Sequence, residues 1–121
     1  MNYSYYLEQF RDLQINKDQL FDLVPRNVQL IRPVLFDRFH IIHALKCLQN
    51  YHLTQQEFMD WIDILWLKDT WFSFPEEEGE CIASIMNELE EFEDQETELA
   101  EEHIKKYIFA LTNNLDINEL N

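Results

Sequence analysis

With 121 residues, 46% of them apolar and 14% aromatic, the chain holds enough apolar mass for one packed core and too little length for two. The aromatic content excludes a disordered acidic tail, and one Gly with three Pro leaves too few turn residues for a strand-rich architecture. The formal charge of −15 is a field that repels nucleic acid and anionic membrane and attracts cations or a basic protein surface.

Helical spacing dominates the chain from its start. Tyr3, Tyr6, Leu7, Phe10 and Leu13 predict a first helix near residues 4–14, with Ser4 as its cap. Asn16 or Asp18 restarts a short helix carrying Leu20, Phe21 and Val24, which Pro25 closes. Pro33 suits the first turn of a longer helix, and the nearly apolar run from Val34 to Leu48 predicts that this helix lies buried at the centre. Thr54-Gln-Gln-Glu57 is a capping-box pattern ahead of Phe58, Trp61, Ile62, Leu65 and Trp66. "LKDTWFSFP" breaks that helix, and Pro75 opens the next, whose stripe is Ile82, Ile85, Met86, Leu89 and Phe92. A last helix carries Leu99, Ile104, Tyr107, Ile108 and Leu111. Residues 93–98 contain no apolar residue, Gly or Pro, so Pro75 to Leu111 reads either as one kinked rod or as two helices; a break near Asp94, capping the next start, is the preferred reading. The expectation is a single all-α domain over residues 1–121, a bundle of five to six helices.

The charge is unevenly spread. Residues 1–60 hold seven acids and six bases, whereas residues 61–121 hold seventeen acids and three bases. From Glu76 to Glu102 there are 13 acids and no Lys or Arg. Like charges three or four residues apart repel along a helix, and the run forgoes the opposite-charge pairs of an ordinary solvated face. A binding role for this face explains the pattern as readily as simple solvation does. With Ile82, Ile85, Met86 and Leu89 inward, Glu80, Glu88 and Glu91 point away from the core. Glu77, Glu98 and Glu101 extend the same acidic tract, and Asp63 and Asp69 flank the aromatic stretch "DWIDILWLKDTWFSF". In that stretch Trp61 reads as core, while Trp71 and Phe72 fall in a connection, where exposed rings ringed by acids are candidate interface anchors.

No metal or cofactor is expected. "PEEEGECIAS" lacks the alternating ligand order of a calcium loop, and no Glu stands three residues before any of the four His. Cys47 and Cys81 sit in apolar periodic stretches with no metal-ligand spacing and read as reduced core residues. The N-terminus lacks the basic start and apolar run of a secretory signal, and no apolar stretch reaches membrane-spanning length, so a cytoplasmic location is expected.

Two resemblances bear on function. Arg38 and His43 in "RFHIIH" resemble the Arg-x4-6-His motif of HEPN ribonucleases, small helical proteins in which the pair acts on a phosphodiester. Phe39 stands where that family places a polar residue, and the plainer reading is that Arg38 and His43 orient a buried helix. The segment "DWIDILWLKDTWFSFPEEEGECIASIMNELEEFED" is similar in style to the small acidic immunity proteins that guard bacteria against contact-dependent inhibition toxins and nuclease bacteriocins. That resemblance implies a non-enzymatic inhibitor whose partner is a basic toxin domain, expected to be a nuclease. An acidic DNA mimic that blocks a DNA-binding enzyme is a third reading and differs in the identity of the basic partner.

Overall fold

The computed structural model describes residues 2–120. Among them the chain forms six α-helices: α1 (Tyr3–Arg11), α2 (Lys17–Leu23), α3 (Arg38–Gln49), α4 (Gln55–Leu67), α5 (Gly79–Asp94) and α6 (Glu101–Asn113). Short 3₁₀ turns at Glu76–Glu78 and Ile117–Leu120 precede α5 and follow α6. The architecture is an all-α bundle with one addition. Two-residue strands β1 (Val34–Leu35) and β2 (Phe72–Ser73) pair in parallel, Val34 opposite Phe72 and Leu35 opposite Ser73.

That small sheet corrects the reading of Pro33 as a helix start. Val34 and Phe36 donate their N–H groups to the carbonyls of Trp71 and Ser73, at 2.7 and 2.8 Å, so the chain is extended there. The helix begins only at Arg38, because Asp37 caps it: the Asp37 carboxylate accepts from the N–H groups of Phe39 at 2.9 Å and His40 at 3.3 Å. The connection from β1 to β2 runs through α3 and α4, the long crossover that a parallel pair requires. α3 is also less enclosed than its apolar run suggests. Ile41, Ile42, Ala44 and Leu45 are buried, while Phe39, His43 and Lys46 form an exposed stripe at helical spacing.

Three other starts follow local rules. Asn16 and Gln19 form a reciprocal capping box with both bonds at 2.8 Å. Thr54 and Glu57 form another, at 3.1 and 2.9 Å. α1 begins one residue earlier than expected, with Asn2 rather than Ser4 as cap. α5 and α6 are separate helices, broken after Asp94 as expected, but Asp94 does not cap α6. That helix starts from Ala100, whose N–H is accepted by His103 Nδ1 at 3.3 Å. Gln55 holds the connection between them in place: its amide N–H bonds the Thr97 carbonyl at 2.9 Å and its carbonyl accepts from Leu99 N–H at 2.8 Å.

The core gathers Phe10, Leu20, Phe36, Leu45, Phe58, Trp61, Ile62, Ile82 and Tyr107, all almost wholly buried. Trp71 and Phe72 belong to it, which overturns their assignment as surface anchors. Trp71 is 0% exposed and Phe72 2%. The physical reason is the strand pairing: it fixes the connection against α1, so the rings fold inward. Trp71 donates its indole N–H to the Val28 carbonyl at 2.7 Å, and Phe72 lies against Phe10 and Phe36. Replacing Trp71 with Ala is expected to cost about 3–5 kcal/mol in denaturant unfolding, whereas Asp69→Ala on the exposed turn just before it stays within about 0.5 kcal/mol. An unchanged midpoint for Trp71→Ala would contradict this placement.

Candidate functional site

The acidic segment is built on α5 and its two flanks. Ile82, Ile85, Met86 and Leu89 are buried, so the inward stripe stands as read. Glu77, Glu80 and Glu91 are exposed, as are Glu98 and Glu101 beyond the break. Glu88 departs from the expected pattern. It is half-buried where α6 packs on α5; burial first, then the charges of Glu88 and Glu91, drive the phenol of Tyr107 well above its usual pKa.

One acid of the run turns inward. Glu78 is buried, and its Oε1 accepts the backbone N–H of Arg38 at 2.8 Å while lying 3.2 Å from the Arg38 Nε. Arg38 in turn donates Nη1 to the carbonyls of Leu111 and Thr112 at the end of α6. The carboxylate thus sits at the N-terminus of α3 and the guanidinium at the C-terminus of α6, each at the helix end whose dipole favours its sign. The sequence carried no sign of this pairing, because Glu78 is one of three consecutive glutamates.

This arrangement bears on the Arg38–His43 constellation. Arg38 is engaged by Glu78 and by two carbonyls, which leaves it a structural cation. His43 stands on the exposed stripe of α3, with its Nε2 3.8 Å from the Cys47 sulfur. Asp37, three residues before His40, has the spacing of a ligand pair but serves the helix start instead: the Asp37 N–H donates to His40 Nδ1 at 3.0 Å. Burial, and then the charge of Arg11, lower the His40 pKa, which keeps that nitrogen free to accept. Among the described residues no three His, Cys, Asp or Glu are disposed to hold a metal ion. Cys47 and Cys81 are both unpaired thiols, Cys81 buried and Cys47 half-buried.

The structure sorts the candidate acids into separate groups. Glu77 and Glu80 line a cavity of about 290 Å³ together with Glu76, Asp116 and Glu119. The last two were not among the residues singled out from sequence; they arrive because Asn114 bonds the Glu77 carbonyl at 3.0 Å and Ile117 N–H bonds the buried Ser84 hydroxyl at 3.0 Å, folding the chain end back on α5. Glu98 and Glu101 line another cavity, of about 330 Å³, floored by Leu48, Leu53, Leu99 and Ile104. Asp69 lies on the α4–β2 turn, exposed.

Asp63 forms a third group. It is half-buried on α4, and a hydrogen bond joins it to Glu93 of α5. Burial, then the charge of Glu93 and that hydrogen bond, then Asp60 and Glu90, push the Asp63 pKa up to about 7. Asp60 is itself held by Lys17 at 3.2 Å and Gln56 at 2.9 Å. A carboxyl raised this far keeps its proton at mildly acidic pH, and that is how two acids meet at the junction of α4 and α5.

Comparison of the chain with protein-family models, with curated proteins and with solved structures returns no match. No helix of the described residues is long and apolar enough to cross a membrane.

The raised pKa of Asp63 gives a pH prediction. A carboxyl whose folded pKa lies above its unfolded value binds more protons folded than unfolded, so its contribution to stability is full at the acidic end of that interval and is lost as pH rises. With values of 3.8 and about 7, stability is expected to fall between about pH 4 and pH 7 on account of Asp63. Asp63→Asn, which keeps the hydrogen bond without the charge, should raise the melting temperature at pH 8 and flatten the pH profile. A parent profile that rises over this interval, with no gain in the variant, would show that the Asp63 carboxyl is not held protonated.

Proposed function

We propose that this chain is an immunity protein, one that binds and neutralises a basic bacterial toxin domain, a nuclease, through the carboxylates on α5 and its flanks. One observation carries the reading. From Glu76 to Glu102 the chain has 13 acids and no base, and apart from the buried Glu78 and the half-buried Glu88 every one of them is exposed. The ion pair of Glu101 with Lys105, at 3.5 Å between two exposed side chains, is of the kind worth little.

The physical argument is one of cost and complement. In the free protein these charges repel one another along and between helix turns, which weakens the helix. Against a surface rich in Lys and Arg the same charges become complementary, speeding encounter and setting orientation. Carboxylates carry the same sign of charge as the phosphates that a nuclease binds, so an acidic face suits the blocking of such a site. The engagement of Arg38 with Glu78 and α6 supports binding over catalysis, since it occupies the guanidinium that a phosphodiester would need.

The test begins with the neighbouring gene, expected to encode a secreted protein whose C-terminal toxin domain serves as the partner. The parent chain is expected to co-purify with it and to protect cells that express it. Changing Glu77, Glu80 and Glu91 together to Gln opens no cavity, because all three are exposed. This variant should fold at least as stably yet associate about tenfold or more slowly at low salt, with the gap closing as salt rises. Failure of the parent to bind, or equal association by the triple variant, would remove the proposal.

A further inference from the structure

Helices of this protein end in an unusual way. α1, α3, α5 and α6 each close with the same pair of backbone bonds: Leu13 to Phe10 and Gln14 to Gln9, Tyr51 to Leu48 and His52 to Cys47, Glu96 to Glu93 and Thr97 to Phe92, Asn114 to Leu111 and Leu115 to Ala110. This is the Schellman closure, whose left-handed residue is most often glycine. Here those residues are Leu13, Tyr51, Glu96 and Asn114, with φ of 64°, 61°, 53° and 53°.

Two of the four side chains give something back. Leu13 packs against the core, and Asn114 bonds the Glu77 carbonyl at 3.0 Å. Glu96 and Tyr51 return nothing to the fold; Glu96 is a solvated carboxylate, whereas Tyr51 is an aromatic residue that is 93% exposed. A large ring held in a strained conformation and left in solvent points to a role outside the folding of the free chain. The ring borders the cavity of about 330 Å³ whose floor is Leu48, Leu53, Leu99 and Ile104, and whose charged lining groups are Glu98 and Glu101, with no base among them. Gln55, clamping Thr97 and Leu99, also lines this cavity and fixes the acidic rim relative to Tyr51.

We infer that this cavity receives an arginine side chain of a basic protein partner, its guanidinium over the Tyr51 ring and directed to Glu98 and Glu101. Arginine matches each wall: a planar cation stacks on an aromatic face, its aliphatic stem covers an apolar floor, and its fork of donors meets carboxylates. The inference rests on the proposed function for the nature of the partner and names an anchor for it in place of Trp71 and Phe72, which are core.

The experiment uses hexa-arginine and hexa-lysine peptides as probes at about 0.15 M salt, followed by amide and aromatic NMR shifts on the whole chain. Hexa-arginine is expected to shift Tyr51, Leu99 and Glu101. Tyr51→Asn, which tolerates the left-handed backbone, should leave the melting temperature unchanged or higher and weaken hexa-arginine binding about fivefold, with a smaller effect on hexa-lysine. Tyr51→Phe should retain binding. Shifts confined to residues 76–91, with no effect of Tyr51→Asn, would overturn the anchor while leaving the proposed function standing. A large loss of stability in Tyr51→Asn would overturn it too, by giving the ring a structural role. Absence of hexa-arginine binding anywhere on the chain would remove both.

Discussion

One largely buried ion pair ties α3 and α6 to the turn that leads into α5. Arg38 lies at the start of α3, Glu78 in the turn before α5, and the Leu111 and Thr112 carbonyls at the end of α6. Breaking one side of such a pair leaves an uncompensated charge inside, at a cost of about 3–5 kcal/mol, whereas the intact pair is close to neutral in itself. Its worth is therefore positional. It sets where α5 enters the bundle, and so which of the acids that follow face outward. The return of the chain end onto α5, through Ser84 and Asn114, completes that placement and brings Asp116 and Glu119 to Glu77 and Glu80.

Much of the helical order was legible because it rests on local chemistry. The Thr54–Glu57 box, the restart at Asn16 and the stripe from Ile82 to Leu89 depend on residues within a turn or two of each other, and all three stand in the structure. What was not legible depends on distant partners. Val34 and Leu35 are extended because Trp71 and Ser73 offer carbonyls to Val34 and Phe36, and Trp71 is core for the same reason. Helix ends were hard to read for a different cause: the usual glycine is absent from all four Schellman closures, and the one Gly of the chain lies at the start of α5. Of the candidate site, the exposure of Glu80 and Glu91 followed from helical spacing and the half-burial of Glu88 did not, while the burial of Glu78 and the raised pKa of Asp63 needed the packing of α3 and α4.

The two fates of these acids carry the functional argument. Glu78 meets a cation inside, and Asp63 is accommodated by a proton; both are solutions that a fold finds for charges it must bury. The exposed members have no such solution within their own segment: Glu90, Glu91 and Asp94 repel one another toward the C-terminal end of α5, whereas Glu80, Glu101 and Glu102 stand in first turns, where the helix dipole favours them. An outward face that costs the free protein stability and suits a cationic surface is the common root of the proposed immunity function and of the arginine site beside Tyr51.

The self-repulsion of that face is open to direct measurement. Thermal unfolding of the free parent chain, followed from about 10 mM to about 1 M sodium chloride, shortens the screening length from about 30 Å to about 3 Å. If the exposed carboxylates are held against the stability of the fold, the melting temperature rises with salt, most steeply at the low end, and the rise is reduced in the chain with Glu77, Glu80 and Glu91 changed to Gln. A melting temperature that stays flat or falls over the same range would contradict the account, since the acidic face would then carry no strain for a partner to relieve.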